Sequence, residues 1–417
     1  MHLRHRKTCR VCGSASLTPV IALGEQFLQG SFVKDGLPPP PQRRIPLTLV
    51  RCDPTRDEAA CGLLQMEHSV PPAVLSSSYW YRSGTNNTMR NHLRGIAEEA
   101  MGIVGGDART VLDIGCNDGT LLNCYPAGFS KFGVDPSDVA QSAGGAIRLV
   151  RDIFPSSELD ALLAGGKCDI ITSIAMYYDL EDPIGFARAI KSILAADGVW
   201  VLEMSYMPTM LAMNSDDTIC HEHLEYYSLA VLERIMGAAG LKVFNVSLNS
   251  INGGSIRCFV THENNYRHRS AEYALGLRAL RQQEFDLELD TDKPYRNFQS
   301  RIDAHRDELS ALLKKLKADG KQIHVYGAST KGNTILQWCN IDKSVITVAA
   351  ERNPDKFGAR TLGTDIPIVS EEASRAMKPD YYLVLPWHFK EEFLQREAAV
   401  LRAGIRFIFP LPHIEIV

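Results

Sequence analysis

The sequence predicts an α/β protein: two units built on parallel sheets, behind a small module that holds four cysteines. Three observations carry that expectation. From Met89 onward, short apolar segments that run into glycine or acidic residues alternate with amphipathic stretches, the pattern of parallel strands with helices on their faces. The alternation lapses between residues 269 and 319 and resumes at Gln322, which splits it into two units of unequal size. Residues 1 to 75 show little helical periodicity and contain Pro38-Pro39-Pro40-Pro41, a stiff extended stretch. The expected division is 1–75, 76–265 and 266–417.

Composition narrows the function classes. The chain has 417 residues, 45% of them hydrophobic and 23% charged, enough apolar chain for more than one core. A net charge of -4 speaks against broad nucleic-acid binding, which needs a basic excess. No apolar run reaches the roughly 18 residues of a membrane span. The basic start, His2-Leu3-Arg4-His5-Arg6-Lys7, has no apolar segment behind it and does not read as a secretory signal. Ten cysteines without an export signal imply a reducing cytoplasm rather than a disulfide framework. The expectation is a cytoplasmic monomer acting on a small molecule, with no membrane or nucleic-acid partner.

In the N-terminal module, too few periodic apolar residues are present to build much of a core. It does contain Cys9-Arg-Val-Cys12, with Cys52 and Cys61 some forty residues on. Two thiolate pairs closing a loop suit a structural tetrahedral zinc ion, which stabilises a core-poor segment. A redox pair or unligated cysteines are the alternatives. His5 and His68 lie close enough in sequence to serve as spare ligands.

A helical pattern over Met89–Val104 leads to a strand, Thr110–Gly115, and then a glycine-rich turn, Asp113-Ile114-Gly115-Cys116-Asn117-Asp118-Gly119. The turn lacks both the GxGxxG dinucleotide fingerprint and the Gly-Lys-Ser/Thr of a P-loop. Asp113 and Asp118 would repel a pyrophosphate and suit a cationic ligand, such as an amino group or a sulfonium. The next strand, Lys131–Val134, ends at Asp135, where an acid can take the two hydroxyls of a ribose. A strand at Asp169–Ser173, a helix at Asp182–Leu194 and a strand at Val199–Met204 follow. Leu241–Leu248 and Ser255–Thr261 flank Gly253-Gly254 and read as a hairpin closing the sheet.

After Val199–Met204 comes Cys220-His221-Glu222-His223, ahead of a helix that Ser228 would cap. In extended chain His221 and His223 share a side and Glu222 faces away. The spacing is not HExxH. A loop at the carboxyl end of a parallel sheet is where ligands bind, and a histidine with a carboxylate to orient it is a natural general base. Residues 269–319 read as charged amphipathic helices forming a connector. Beyond them, Gln322–Tyr326 opens the second unit, with strands expected at Val345–Ala350, Tyr381–Leu385 and Arg406–Phe409. Between strand and helix, Tyr326-Gly327-Ala328-Ser329-Thr330-Lys331-Gly332-Asn333 would cradle an anion, with Arg352 and His388 at the ends of later strands.

The Asp-x-Gly-x-x-x-Gly turn with an acid closing the next strand resembles the Rossmann-like methyltransferases that use S-adenosylmethionine (SAM). That resemblance implies a cofactor set of Asp113, Gly115, Asn117, Asp118, Gly119, Asp135, Asp152, Ile153 and Ser173, with Asp135 on the ribose and Asp152 and Ile153 beside the adenine. The His-Glu-His segment looks like that of the sugar C-methyltransferases, which alkylate a carbon next to a keto group of a nucleotide-linked deoxysugar. These share the layout of zinc module, SAM domain and C-terminal α/β domain. Ser78-Tyr79-Trp80-Tyr81-Arg82-Ser83-Gly84 and the Tyr326–Asn333 loop match their motifs too. The resemblance implies His223 as base with Glu222 orienting it. It implies His221, Tyr79, Tyr177 or Tyr178 as enolate-stabilising donors. Tyr81, Tyr326, Gly327, Ser329, Thr330, Lys331, Asn333, Arg352 and His388 would hold the sugar nucleotide. Two positions depart from the family: Cys220 stands where it usually has tyrosine, and Met176-Tyr177-Tyr178-Asp179 where it usually has a histidine. The rivals are O- or N-methylation, an NAD-dependent sugar oxidoreductase, against which the acidic turn argues, and a non-catalytic zinc-containing binding module.

Overall fold

The computed structural model describes residues 3–71, 74–75 and 80–417. The N-terminal module is a sheet: β1 (Leu17–Gln26), β2 (Ile45–Cys52) and β3 (Leu64–Met66), all antiparallel. Alternation in Ile45-Pro46-Leu47-Thr48-Leu49 sets every second side chain into the core, where Ile45, Leu47 and Leu49 are fully buried. The module is thus richer in core than its helical periodicity suggests. It borrows part of that core from elsewhere in the chain, because Tyr295, Phe298 and Ile302 pack against its sheet.

The second unit starts with α1 (Asn87–Val104), capped by Asn86, whose side chain accepts from the Thr88 and Met89 amides. Then come β4 (Thr110–Ile114), β5 (Ser130–Val134), β6 (Ile147–Val150), α2 (Ser157–Leu163), β7 (Cys168–Ile174), α3 (Pro183–Ile193) and β8 (Leu194–Ser205). After these, α4 (Leu229–Ala239) leads into β9 (Leu241–Asn249) and β10 (Ser255–His262). Ser228 caps α4 through the Val231 amide, as the sequence predicts. The strand order is β9-β10-β8-β7-β4-β5-β6, parallel except for β10, which forms the expected hairpin with β9. Strand order reverses between β4 and β7, and such a reversal opens a crevice at the carboxyl ends of the strands.

The connector is two helices, α5 (Ala271–Asp286) and α6 (Lys293–Ala318). Leu277 and Leu280 of α5 join the core of the second unit. The stripe on α6 serves two cores, Tyr295, Phe298 and Ile302 in the N-terminal module and Leu309 and Leu313 in the last unit.

That last unit holds β11 (Ile323–Tyr326), α7 (Thr330–Trp338), β12 (Ala349–Glu351), β13 (Ile368–Ser370), β14 (Tyr381–Val384), β15 (Arg406–Phe409) and β16 (Glu415–Ile416). Its sheet runs β13-β12-β11-β14-β15-β16, parallel up to β15 with β16 antiparallel, so a second switch point lies between β11 and β14. The strand expected from Val345 begins only at Ala349. The Asp342 carboxylate takes the Ser344 amide and hydroxyl, and the Asp342 carbonyl takes the Val345 and Ile346 amides, so these residues form a turn and pack without a ladder. Among the described residues no helix is long and apolar enough to cross a membrane.

Candidate active site

A single cavity of about 600 Å³ reaches all three parts of the chain. Its walls include Gly30, Ser31 and Phe32 of the N-terminal module, the β4 and β5 ends, and the loop after β11.

At the β4 end, Gly115 adopts φ +75°, a left-handed conformation that favours glycine, and its amide bonds to the Val134 carbonyl (2.8 Å). Asp113 lines the cavity and accepts from Thr172 Oγ1 (2.6 Å), and burial pushes its carboxyl up to about 7. Asp135 also lines it, its oxygens receiving the Asn117 amide and the Ser137 amide and hydroxyl. Asp152 and the exposed Ile153 sit on the same cavity. Carboxylates for hydroxyls or a cation, together with Ile153 and Phe154 as apolar wall, fit a positively charged nucleoside such as SAM.

Three residues of the predicted cofactor set lie off the cavity. Asp118 takes the Gly84 amide (2.7 Å) and Thr120, so it fastens the segment ahead of α1. Gly119 is a packing glycine, for a Cβ there would meet Ala143 and Ile147 at 2.8 Å. Ser173 is fully buried and accepts from Trp200 Nε1 (3.2 Å). Asn117 does line the cavity, and its side chain also holds the Ser83 amide and the Tyr81 carbonyl.

The His-Glu-His segment is a turn, closed by the His223 amide on the Cys220 carbonyl (3.1 Å). Its two histidines therefore part company. His221 is fully buried and faces Gln29 (2.8 Å from Nδ1) and the Ile45 carbonyl (3.3 Å from Nε2), so it docks the N-terminal module and is not at the cavity. His223 lines the cavity with its ring against Tyr178, centroids 4.0 Å apart. The expected orienting role of Glu222 is not what the structure shows. The Thr218 carbonyl lies 2.7 Å from His223 Nδ1, whereas Glu222 accepts the Gly30 amide (2.9 Å). A carbonyl can only accept, so Nδ1 carries the proton and Nε2 is the acceptor. Nor is His223 near neutrality: burial, then the Lys331 charge, lower it to about 3. Burial raises the Glu222 carboxyl, and one of its oxygens has no hydrogen-bond partner.

Tyr177 is a core residue, wholly buried, with its hydroxyl donating to the Pro183 carbonyl (2.8 Å). Tyr178 lines the cavity, and Tyr79 lies outside the described residues.

On the far side, Tyr81, Tyr326, Gly327, Ser329, Thr330, Lys331, Arg352 and His388 all line the cavity. Ser329 caps α7 through the Gly332 amide, and Lys331 Nζ donates to the Asn252 carbonyl (2.6 Å), 3.9 Å from Asp217. Asn333 does not reach the cavity, because its Nδ2 donates to the Gln29 carbonyl (2.7 Å). His388 is half-buried, and its buried Nδ1 has no hydrogen-bond partner.

The sequence reading missed Glu203 and Asp179. Both line the cavity at or just past the carboxyl ends of β8 and β7, the position that could have flagged them. Glu203 is fixed by His92, Arg257 (2.8 Å) and Asn249 (2.9 Å). Gly30, Ser31 and Phe32 carry no local signal.

In the N-terminal module the sulfurs of Cys9, Cys12, Cys52 and Cys61 lie within 4.8 Å of one another, with Cys9–Cys61 at 3.5 Å and Cys12–Cys52 at 3.4 Å. Zinc–sulfur bonds of about 2.3 Å place tetrahedral thiolates about 3.8 Å apart, so the set fits a closed structural zinc site. His5 and His68 are not spare ligands to it; they form a separate group with Glu67.

Three family matches follow one another along the chain. Residues 9–75 match the family described as "Putative zinc binding domain", 87–246 a methyltransferase domain, and 250–412 the C-methyltransferase C-terminal domain. The C-methyltransferase NovU of Streptomyces niveus is 29% identical over 420 residues, covering 97% of this chain and 95% of that one. A SAM-dependent methyltransferase from Clostridium acetobutylicum is similar at 13% identity, over 42% of this chain and 92% of that one, with a TM-score of 0.34. Magnesium protoporphyrin IX methyltransferase of Synechocystis is similar at 15% identity, over 42% and 79%, with a TM-score of 0.31. From its cysteine cluster through its acidic turn to its C-terminal end, this chain is a SAM-dependent methyltransferase assembled from a zinc-binding domain, a methyltransferase domain and a C-methyltransferase C-terminal domain.

Proposed function

We propose that the methyl acceptor is a carbon next to the ketone of a nucleotide-linked deoxysugar. The observation that carries this reading is the shared cavity, which has the Asp113–Asp135 turn, His223 and the Ser329–Lys331 loop in one wall system. Lys331 and the N-terminus of α7 suit an anion such as a diphosphate. Bound at the acidic turn, SAM supplies its methyl group as an electrophile.

His223 Nε2 takes the α proton, while the Thr218 carbonyl holds the ring through Nδ1. In the free protein this imidazole is a weak base, because it is buried and faces the Lys331 charge. An anionic substrate beside Lys331 removes part of that handicap. As the proton moves, negative charge grows on the ketone oxygen, where Tyr178 supplies a donor. The α carbon is left as the nucleophile. Much of the rate comes from holding that carbon in line with the methyl group.

The test is incubation with SAM and a panel of nucleotide-linked 4-keto sugars, read by mass spectrometry and product NMR. A new C–CH3 signal is expected. An O–CH3 or N–CH3 signal, or no turnover with any keto sugar, overturns the reading. His223→Asn should abolish transfer and leave SAM affinity nearly intact; turnover by this variant overturns the assignment of the base.

A further inference from the structure

We propose that His5, Glu67 and His68 form a second metal site on the N-terminal module, for a divalent transition-metal ion of the zinc class. The two-residue strands Arg4–His5 and His68–Ser69 pair antiparallel, with His5 directly opposite His68. Glu67 precedes the second strand. Its Oε1 lies 3.5 Å from His5 Nε2 and its Oε2 lies 3.6 Å from His68 Nδ1. Both separations exceed an ordinary N–H···O hydrogen bond of about 2.7–3.2 Å. Each ring nitrogen thus has one carboxylate oxygen near the spacing that separates ligands on a tetrahedral zinc, about 3.4 Å for metal–ligand bonds of about 2.0–2.1 Å.

A second observation points the same way. His68 Nδ1 is buried and has no hydrogen-bond partner, although the imidazole is a strong hydrogen-bonding group. An ion between the rings and the carboxylate would satisfy it. The three ligand atoms lie within 4.8 Å of one another, and the two rings stack with centroids 5.0 Å apart. Two imidazoles and one carboxylate suit zinc, nickel or copper; calcium and magnesium prefer all-oxygen sets. His5 is exposed, at 54% of its side chain, so water can reach the group.

The site is separate from the four cysteines in ligands and in chemistry. It would staple a strand held by only two residue pairs, Arg4↔Ser69 and His5↔His68. Val70, next along that chain, lines the large cavity, so the staple steadies a wall of the active site.

The full-length protein, dialysed to equilibrium against micromolar free zinc, is analysed for metal per chain by atomic emission. Two ions are expected in the natural sequence and one in His5→Ala and in His68→Ala. A cobalt-substituted parallel sample reports the fold, because its thiolate-to-metal absorption arises only from the four-cysteine site. That band should be unchanged in both variants. One ion per chain in the natural sequence, or two in the natural sequence and variants alike, overturns the proposal. So does a loss of the thiolate band in step with the second ion, since the two sites would then not be distinct.

Discussion

The Gly30 amide donates to Glu222 Oε1 at 2.9 Å, joining two residues 192 positions apart. This bond makes the N-terminal module a working wall of the active site. A Cβ at Gly30 would fall inside van der Waals contact with that same oxygen. Gly30→Ala should therefore displace the carboxylate. Loss of a hydrogen bond is about 0.5–1.5 kcal/mol, or roughly 2- to 10-fold in kcat if it falls on the transition state. Glu222→Gln keeps an oxygen for Gly30 and should retain most activity. Steady-state methyl transfer with a thermal melt of each variant checks both.

SAM affinity should depend on pH through Asp113. Burial raises this carboxyl to about 7, so the free protein carries it protonated below that pH. A cationic ligand favours the ionised form, and affinity should rise up to about tenfold between pH 6 and pH 8. In the ligand-free protein the sign is opposite. A raised carboxyl lends stability that is complete below its unfolded value and is lost as pH rises toward 7. Asp113→Asn keeps an acceptor for Thr172 and should flatten the affinity profile. Calorimetric titration with SAM at pH 6, 7 and 8 measures it.

Tyr177 and Tyr178 are neighbours in sequence with different fates. Tyr177→Phe removes the buried hydroxyl's bond to the Pro183 carbonyl and should cost about 0.5–1.5 kcal/mol of stability with kcat unchanged. Tyr178→Phe should leave stability close to the natural value and slow turnover. Denaturant unfolding beside kinetics separates the two.

Much of the architecture was legible because its signals are local. Alternation of apolar runs and amphipathic stretches marked β4, β5, β7, β8 and β15 within a few residues. What escaped was tertiary. The resemblance makes Glu222 the orienting group of His223, yet its partner is Gly30, which no spacing rule finds. An extended chain would place His221 and His223 on one side. The Cys220–His223 turn voids that premise and sends His221 into the N-terminal module. Asp118 reads as a ligand group, but its side chain holds the Gly84 amide and lies off the cavity, whereas Asn117 both lines the cavity and holds the Ser83 amide. Polar residues around a glycine turn read alike whether they hold a ligand or the next loop.

Removing zinc should be felt well beyond the cysteines. Tyr295, Phe298 and Ile302 of α6 pack on the sheet that the cysteine cluster closes, and the same helix feeds the last core through Leu309 and Leu313. Strong chelation should lower the melting temperature on the order of 10 °C and broaden the transition, since a structural zinc site is part of the folding free energy. Calorimetry with and without chelator tests it.

The shared cavity also constrains how such a chain can be re-engineered by module exchange. Gln29 meets His221 through its side chain and Asn333 through its carbonyl, so one residue of the first module is keyed to both others. A foreign C-terminal domain grafted for a new methyl acceptor must arrive with its own match to Gln29. Otherwise the graft trades one specificity for a leaking pocket. Successful chimaeras should be those whose crossover keeps residues 26–32, 218–226 and 329–334 from a single parent.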